Sequence, residues 1–183
     1  VRGKTNYVSI ELDKLGLLGK KSHCKFIPDL YKFNSIETRI SLLQGLLDTD
    51  GTVSKNGHHV EFFSSSESLS KDVVFIVQSL GGTAKTTIKE SVFTHLGCKK
   101  QGRICYRVHI KLPSTILPFR LSRKAKLYKP GIKYQPKRSI ISIQEMGEKE
   151  CQCIAIDSID NLYITDNCIL THNTTMLKHL AWK

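Results

Sequence analysis

With 183 residues, 40% of them hydrophobic, the chain can bury a core, and Lys and Arg outnumber Asp and Glu by 28 to 16, a formal charge of +12; the composition points to a globular protein with a polyanionic partner, nucleic acid above all. No apolar run approaches membrane-spanning length, so no membrane partner is expected. Cys24, Cys98, Cys105, Cys151, Cys153 and Cys168 lack disulfide-framework spacing and no signal peptide is read, which places reduced thiols in the cytoplasm; Cys151 and Cys153 alternate across a strand and make a poor zinc chelate.

The chain opens on an apolar periodicity through Ile10, Leu12, Leu15, Leu17 and Leu18, without an initiator Met, and reads as the middle of a fold. Leu15 to Pro28 is then a helix end, a basic turn and an apolar anchor. From Asn34 and Ser35, which can cap a helix, Ile40, Leu43, Leu46 and Leu47 recur at helical spacing up to Asp48-Thr49-Asp50-Gly51. Gly45 lets a second helix approach closely, and carboxylates brought together at such a pair of helix ends bind divalent metal. Lys55-Asn56-Gly57 predicts a hairpin turn, followed by a strand through Val60 and Phe62 to Ser64-Ser65-Ser66. Glu67 to Leu80 predicts a second helix ended by Gly81-Gly82. Strands are expected at Thr83 to Glu90 and Ile104 to Lys111, joined by a basic loop through His95, Lys99, Lys100 and Arg103, and a last helix near Pro118 to Tyr128. The class is α+β, an αββαββα unit.

Its sheet suits a duplex, because the major groove admits two strands whose side chains alternate toward base edges. Candidate DNA contacts on it are Lys55, His59, Lys85, Lys89, Arg103, Arg107 and His109, with the face of each left open. Arg120 to Arg138 meets no acid and offers Arg120, Arg123 and Lys126 to phosphates, the alternatives being a linker or a solvated face. After a linker near Lys129 to Pro136, short strands are expected at Ser139 to Ile143, Cys151 to Asp157, Asn161 to Thr165 and Cys168 to Leu170.

The ending Thr171-His172-Asn173-Thr174 carries its own chemistry. The Asn173 amide nitrogen can attack its own main-chain carbonyl, closing a succinimide and breaking the bond to Thr174. His172 can bind that carbonyl or protonate the leaving amine, and the Thr174 hydroxyl can accept an acyl group.

Leu42-Leu43-Gln44-Gly45-Leu46-Leu47-Asp48-Thr49-Asp50-Gly51 resembles the LAGLIDADG motif of dodecapeptide-type homing endonucleases. That resemblance implies Asp50 as the ligand of a catalytic Mg²⁺, Asp48 as a supporting carboxylate and double-stranded DNA as substrate. The block ending Lys25-Phe26-Ile27-Pro28 resembles the one preceding the second such helix in intein-borne enzymes, which implies Lys25 in the active site, where it can stabilise charge or help activate water. The same resemblance offers Lys124 as the expected counterpart of Lys25 for the second subdomain.

The stretch from Cys153-Ile154-Ala155-Ile156-Asp157 to Asn173 resembles the C-terminal splicing blocks of inteins, the end of a Hint domain. The histidine many inteins carry about ten residues before the end is absent; Leu162 stands there, leaving Asp157 or Asp160 to assist. The expected division is 1–33, the end of a first endonuclease subdomain; 34–128, the second; 129–138, a basic linker; 139–173, the splicing segment; and 174–183, a C-extein stub. Both activities then need an N-terminal part, or for the nuclease a second copy. The stub resembles the helix after a phosphate loop, which implies a P-loop ATPase host such as a phage terminase large subunit. The competing readings are a DNA-binding remnant without nuclease activity in a split intein, or simply part of a P-loop ATPase precursor.

Overall fold

Ser35 starts the central helix by accepting a hydrogen bond at Oγ from the Thr38 amide, and Gly51 ends it by turning straight into a strand. The computed structural model describes residues 6–131, 137, 139–150, 154 and 156–172, in two units, Val1–Lys137 and Arg138–Lys183.

In the first unit α1 (Tyr7–Lys14), α2 (Asp29–Lys32) and α3 (Ile36–Asp50) are followed by β1 (Gly51–Val53), β2 (Val60–Ser64), α4 (Glu67–Ser79), β3 (Thr83–His95), β4 (Cys98–Lys111) and the short α5 (Ser122–Ala125). From α3 onward this is the expected αββαββα order. The four strands form one antiparallel sheet in the order β1-β2-β4-β3. Leu43 and Leu47 of α3 and Val73, Ile76 and Val77 of α4 pack with Phe62 and Val108, all at most 1% exposed. One sheet face thus carries the core, and the alternation of β2 and β4 sends Glu61, Arg107 and His109 to the other.

Two features depart from the sequence reading. The basic stretch expected as a loop is strand: β3 and β4 pair on to His95 and Cys98 around a two-residue turn, Leu96-Gly97, where φ is 51° and 77°. Beyond the core this ribbon meets solvent on both sides, with Val92 64% and Leu96 90% exposed, so it lacks the one-sided alternation that identifies a strand. A bulge between Glu90 and Val92 resets its register, and Gly102 lies there so closely that a Cβ would sit 2.3 Å from Ser91 Oγ. The helix expected over Pro118 to Tyr128 is a single turn, α5.

Residues 22–32, assigned from sequence to the preceding subdomain, share this core. Ile27 is 3% exposed, its amide donates to Asp72 Oδ2 at 2.7 Å, and Asp72 also takes Lys32 Nζ at 3.0 Å. Ser66 Oγ, which caps α4 through the Leu69 amide, donates to the Lys25 carbonyl at 2.6 Å.

In the second unit β5 (Leu162–Thr165) and β6 (Ile169–His172) form a hairpin, with Asn167 and Cys168 at positive φ in its turn. No strand forms at 139–143 among the described residues, and Ile140, Ile141 and Ile143 are all more than four-fifths exposed. Alternation makes a strand only where a neighbour takes up its amides and carbonyls. The strand expected from Cys151 lies mostly outside the described residues.

Ile27→Ala should lower the unfolding free energy in urea by about 2–4 kcal/mol, whereas Leu30→Ala, at a position 66% exposed, should change it by less than ~0.5 kcal/mol.

Candidate active site and nucleic-acid interface

The acidic end of α3 is organised by a lysine 73 or more residues away in sequence. Lys124 is buried, and its Nζ donates to the carbonyls of Leu47 at 2.9 Å, Asp48 at 2.8 Å and Gly51 at 2.6 Å. The Leu47 carbonyl also accepts the Gly51 amide that closes the last turn, the Asp48 carbonyl is one that a helix end leaves without an intrahelical partner, and a cation there meets the negative end of the helix dipole. The Phe119 ring lies 5.6 Å from the same ammonium. Burial, and after it the Arg123 charge, pull the Lys124 pKa below the ordinary lysine value, while Asp48 and Asp50 pull it back. With its donors engaged by carbonyls, Lys124 is a clamp on the acid-bearing turn, not the free lysine implied by its pairing with Lys25.

The two acids of the motif separate cleanly. Asp48 is half-buried, and its carboxylate accepts from the Arg120 and Leu121 amides at 3.2–3.3 Å, tying the entry of α5 to α3. Asp50, the last residue of α3, is exposed and makes no hydrogen bond or ion pair among the described residues. A free carboxylate there is locally unfavourable, since helix C-termini favour cations. Among the described residues no three His, Cys, Asp or Glu side chains cluster as a metal site. One unbonded carboxylate still suits Mg²⁺, which takes one or two protein carboxylates and completes its shell with water and phosphate oxygens.

The motif's glycines separate in the same way. A Cβ on Gly51 would lie 2.5 Å from the Leu47 carbonyl oxygen, so Gly51 is demanded by the turn itself. Gly45 is exposed with nothing within 4 Å of where its Cβ would be. A glycine inside a helix costs roughly 0.5–1 kcal/mol, and nothing in this unit requires this one.

Lys25 is exposed on the segment anchored to α4, and its ammonium has no partner among the described residues. The structure thus places Lys124, not Lys25, in contact with the acidic turn. Arg120, expected at DNA, is turned onto α3: its Nε donates to Gln44 Oε1 and its Nη2 to Ser41 Oγ, both at 2.8 Å, because those side chains share one helix face and fit its fork. Arg123 and Lys126 remain exposed. The basic run is thereby divided between clamping and solvent-facing members.

On the sheet, register puts Lys85 opposite His109 and Thr87 opposite Arg107 on β3 and β4, with Lys89 opposite Cys105 on the same face. His59 leads into β2 beside that row, Arg103 is exposed on the ribbon, and Lys55 is exposed in the β1–β2 turn. Lys111 belongs to the same face and was missed: its i±2 relation to His109 on one strand was the available signal. His59, Lys85, His109 and Lys111 line an open cationic groove of about 300 Å³.

In the second unit the backbone of His172 pairs with Leu162, so those two positions lie directly across from each other in the hairpin. Asp160 accepts from the Ser158 hydroxyl and, at 3.1 Å, from the Leu162 amide, and the first of these chiefly holds its pKa below the usual carboxylate range. Asp157 is exposed. Asn173 and Thr174 lie outside the described residues.

Residues 37–111 match the model of the LAGLIDADG-like domain, which supports a homing-endonuclease-type domain in this chain. The chain is also 30% identical over 171 residues to a replicative DNA helicase, DnaB, of Mycobacterium intracellulare. That match covers 90% of this chain and 28% of the helicase, so the chain spans little more than a quarter of that relative's length.

Lys124→Met should destabilise the first unit by about 2–4 kcal/mol, since buried carbonyls lose their donor. Asp48→Ala should cost about 1–2 kcal/mol by freeing the Arg120 and Leu121 amides, and Asp50→Asn should leave stability unchanged or raise it by ~0.3–1 kcal/mol; urea titration of the three variants checks the order.

Proposed function

We propose that this chain carries one half of a LAGLIDADG-type endonuclease active site nested in the C-terminal part of an intein, and that it hydrolyses phosphodiester bonds of double-stranded DNA when a second acid-bearing helix docks on α3. The observation that carries this reading is the pairing of an exposed, locally costly Gly45 with an unbonded Asp50 on the same helix. Both are unfavourable in the unit alone and both make sense against an apposed helix, the first by allowing close approach and the second by facing its counterpart.

Asp50 would hold the Mg²⁺, with Asp48 left to its structural bonds. A bound Mg²⁺ supplies orientation of water and stabilisation of the leaving oxygen. Lys124 fixes the backbone on either side of Asp50 by taking the Asp48 and Gly51 carbonyls. Lys25 is free to move onto a phosphate as charge builds on it. The cationic sheet face and the exposed members of the basic run hold the duplex.

The splicing half of the proposal rests on β6, which runs to His172 with Asn173 next in sequence. Asn173 cyclisation releases the segment at Thr174, with Thr174 as the downstream nucleophile. The likeness to a replicative DNA helicase favours a host that acts on DNA, in keeping with the phosphate-loop reading of the stub; nothing points specifically to a terminase. A DNA-binding remnant without nuclease activity is the second reading, and the unbonded Asp50 speaks against it.

In the complete assembly Asp50→Asn should abolish Mg²⁺-dependent cleavage, and full activity would remove its role. Gly45→Ala should stabilise the chain alone by about 0.5–1 kcal/mol while reducing assembly and cleavage. Mass analysis after co-expression with the N-terminal half should find ligated extein, and Asn173→Ala should block release at the Thr174 junction.

A further inference from the structure

The sheet face turned away from α3 and α4 is strongly basic, yet it holds one acid at its centre. Register aligns Thr52, Glu61, His109 and Lys85 in one row and Phe63, Arg107 and Thr87 in the next, so Glu61 lies beside Arg107 and His109 of the adjacent β4, with Lys85 one strand further on. On a surface meant for a polyanion, that carboxylate lowers affinity for every sequence alike.

What it does for the face is local. Glu61 Oε1 accepts from Arg107 Nη2 at 2.5 Å and lies 3.1 Å from His109 Nδ1, with its side chain only 16% exposed. The Arg107 guanidinium is also 5.8 Å from the Phe63 ring, and His109 Nε2 is 3.3 Å from Thr87 Oγ1. A long side chain that would otherwise sample many rotamers is held as a fixed fork. Its Nε is buried without a partner among the described residues, and none of them takes Nη1, so the fork is not arranged to satisfy itself. With Nε buried and one Nη2 hydrogen given to Glu61, Nη1 and the second Nη2 hydrogen are the uncommitted donors of the fork.

We propose that Glu61 is a specificity-setting residue: it orients Arg107 to read a guanine edge in the major groove and, by its charge, penalises duplexes that leave Arg107 without a base partner. Arginine pairs with guanine O6 and N7 through such a fork, and a preorganised fork discriminates better than a mobile one. The inference rests on the DNA-binding reading above.

The test is selection of the full chain on a random-sequence duplex library at fixed salt, followed by sequencing. The wild type should return a motif with a guanine preference that Arg107→Lys erases by about fivefold or more at that position. Glu61→Gln should make the same position degenerate while binding unselected duplex several-fold more tightly. A Glu61→Gln motif identical to that of the wild type overturns the proposal, as does an unchanged motif with Arg107→Lys, which keeps the acid and the charge and so reports even if the first variant folds poorly. Absence of duplex binding by the wild type would instead remove the endonuclease reading, and this inference with it.

Discussion

A single ammonium group holds the first unit together at its chemical end. Three carbonyls of one helix terminus converge on Lys124 Nζ, and everything near the acids follows from that convergence. It lets α3 stop at Asp50 and enter β1 without a frayed turn, it draws residues 119–125 against the helix, and it offsets a terminus that would otherwise repel carboxylates. Burial weakens the lysine's hold on its proton, whereas the neighbouring aspartates strengthen it.

Around that clamp, scaffold and chemistry are divided residue by residue. Asp48, Gly51, Gln44 and Arg120 bond to the chain itself. The Asp50 carboxylate is exposed and bonds to nothing among the described residues, and Gly45 is exposed with open space where a Cβ would be. One ten-residue string thus alternates between positions that the fold needs and positions that it merely tolerates. Natural sequences break local rules chiefly where function compensates.

Much of this was legible beforehand. Ser35, the apolar period of α3 and α4 and the Asn56-Gly57 turn are local signals, and each produced the element expected of it. What stayed hidden was decided at long range. Ile27 joins the core because Asp72, 45 residues on, captures its amide. Lys124 was expected as the counterpart of Lys25, since no local pattern distinguishes a lysine that will be buried on a helix end from one left free. The outer ribbon read as a loop because solvent wets both of its faces. At 139–143 the opposite happened: a good alternation found no described partner strand. The acid and amide chemistry at Asp50 and Asn173 was visible only as motif, and geometry has added meaning to the first of these alone.

The outer half of the β3–β4 ribbon buries little of its side-chain surface, so its residues are under light structural constraint apart from the turn at Leu96-Gly97 and the tight seat of Gly102 beneath Ser91. Substitutions elsewhere along it change the chemistry displayed without disturbing the folded state by more than a few tenths of a kcal/mol. A lineage carrying this architecture can therefore change the side chains the ribbon displays, while the clamp at the helix end keeps the geometry of the acidic turn constant.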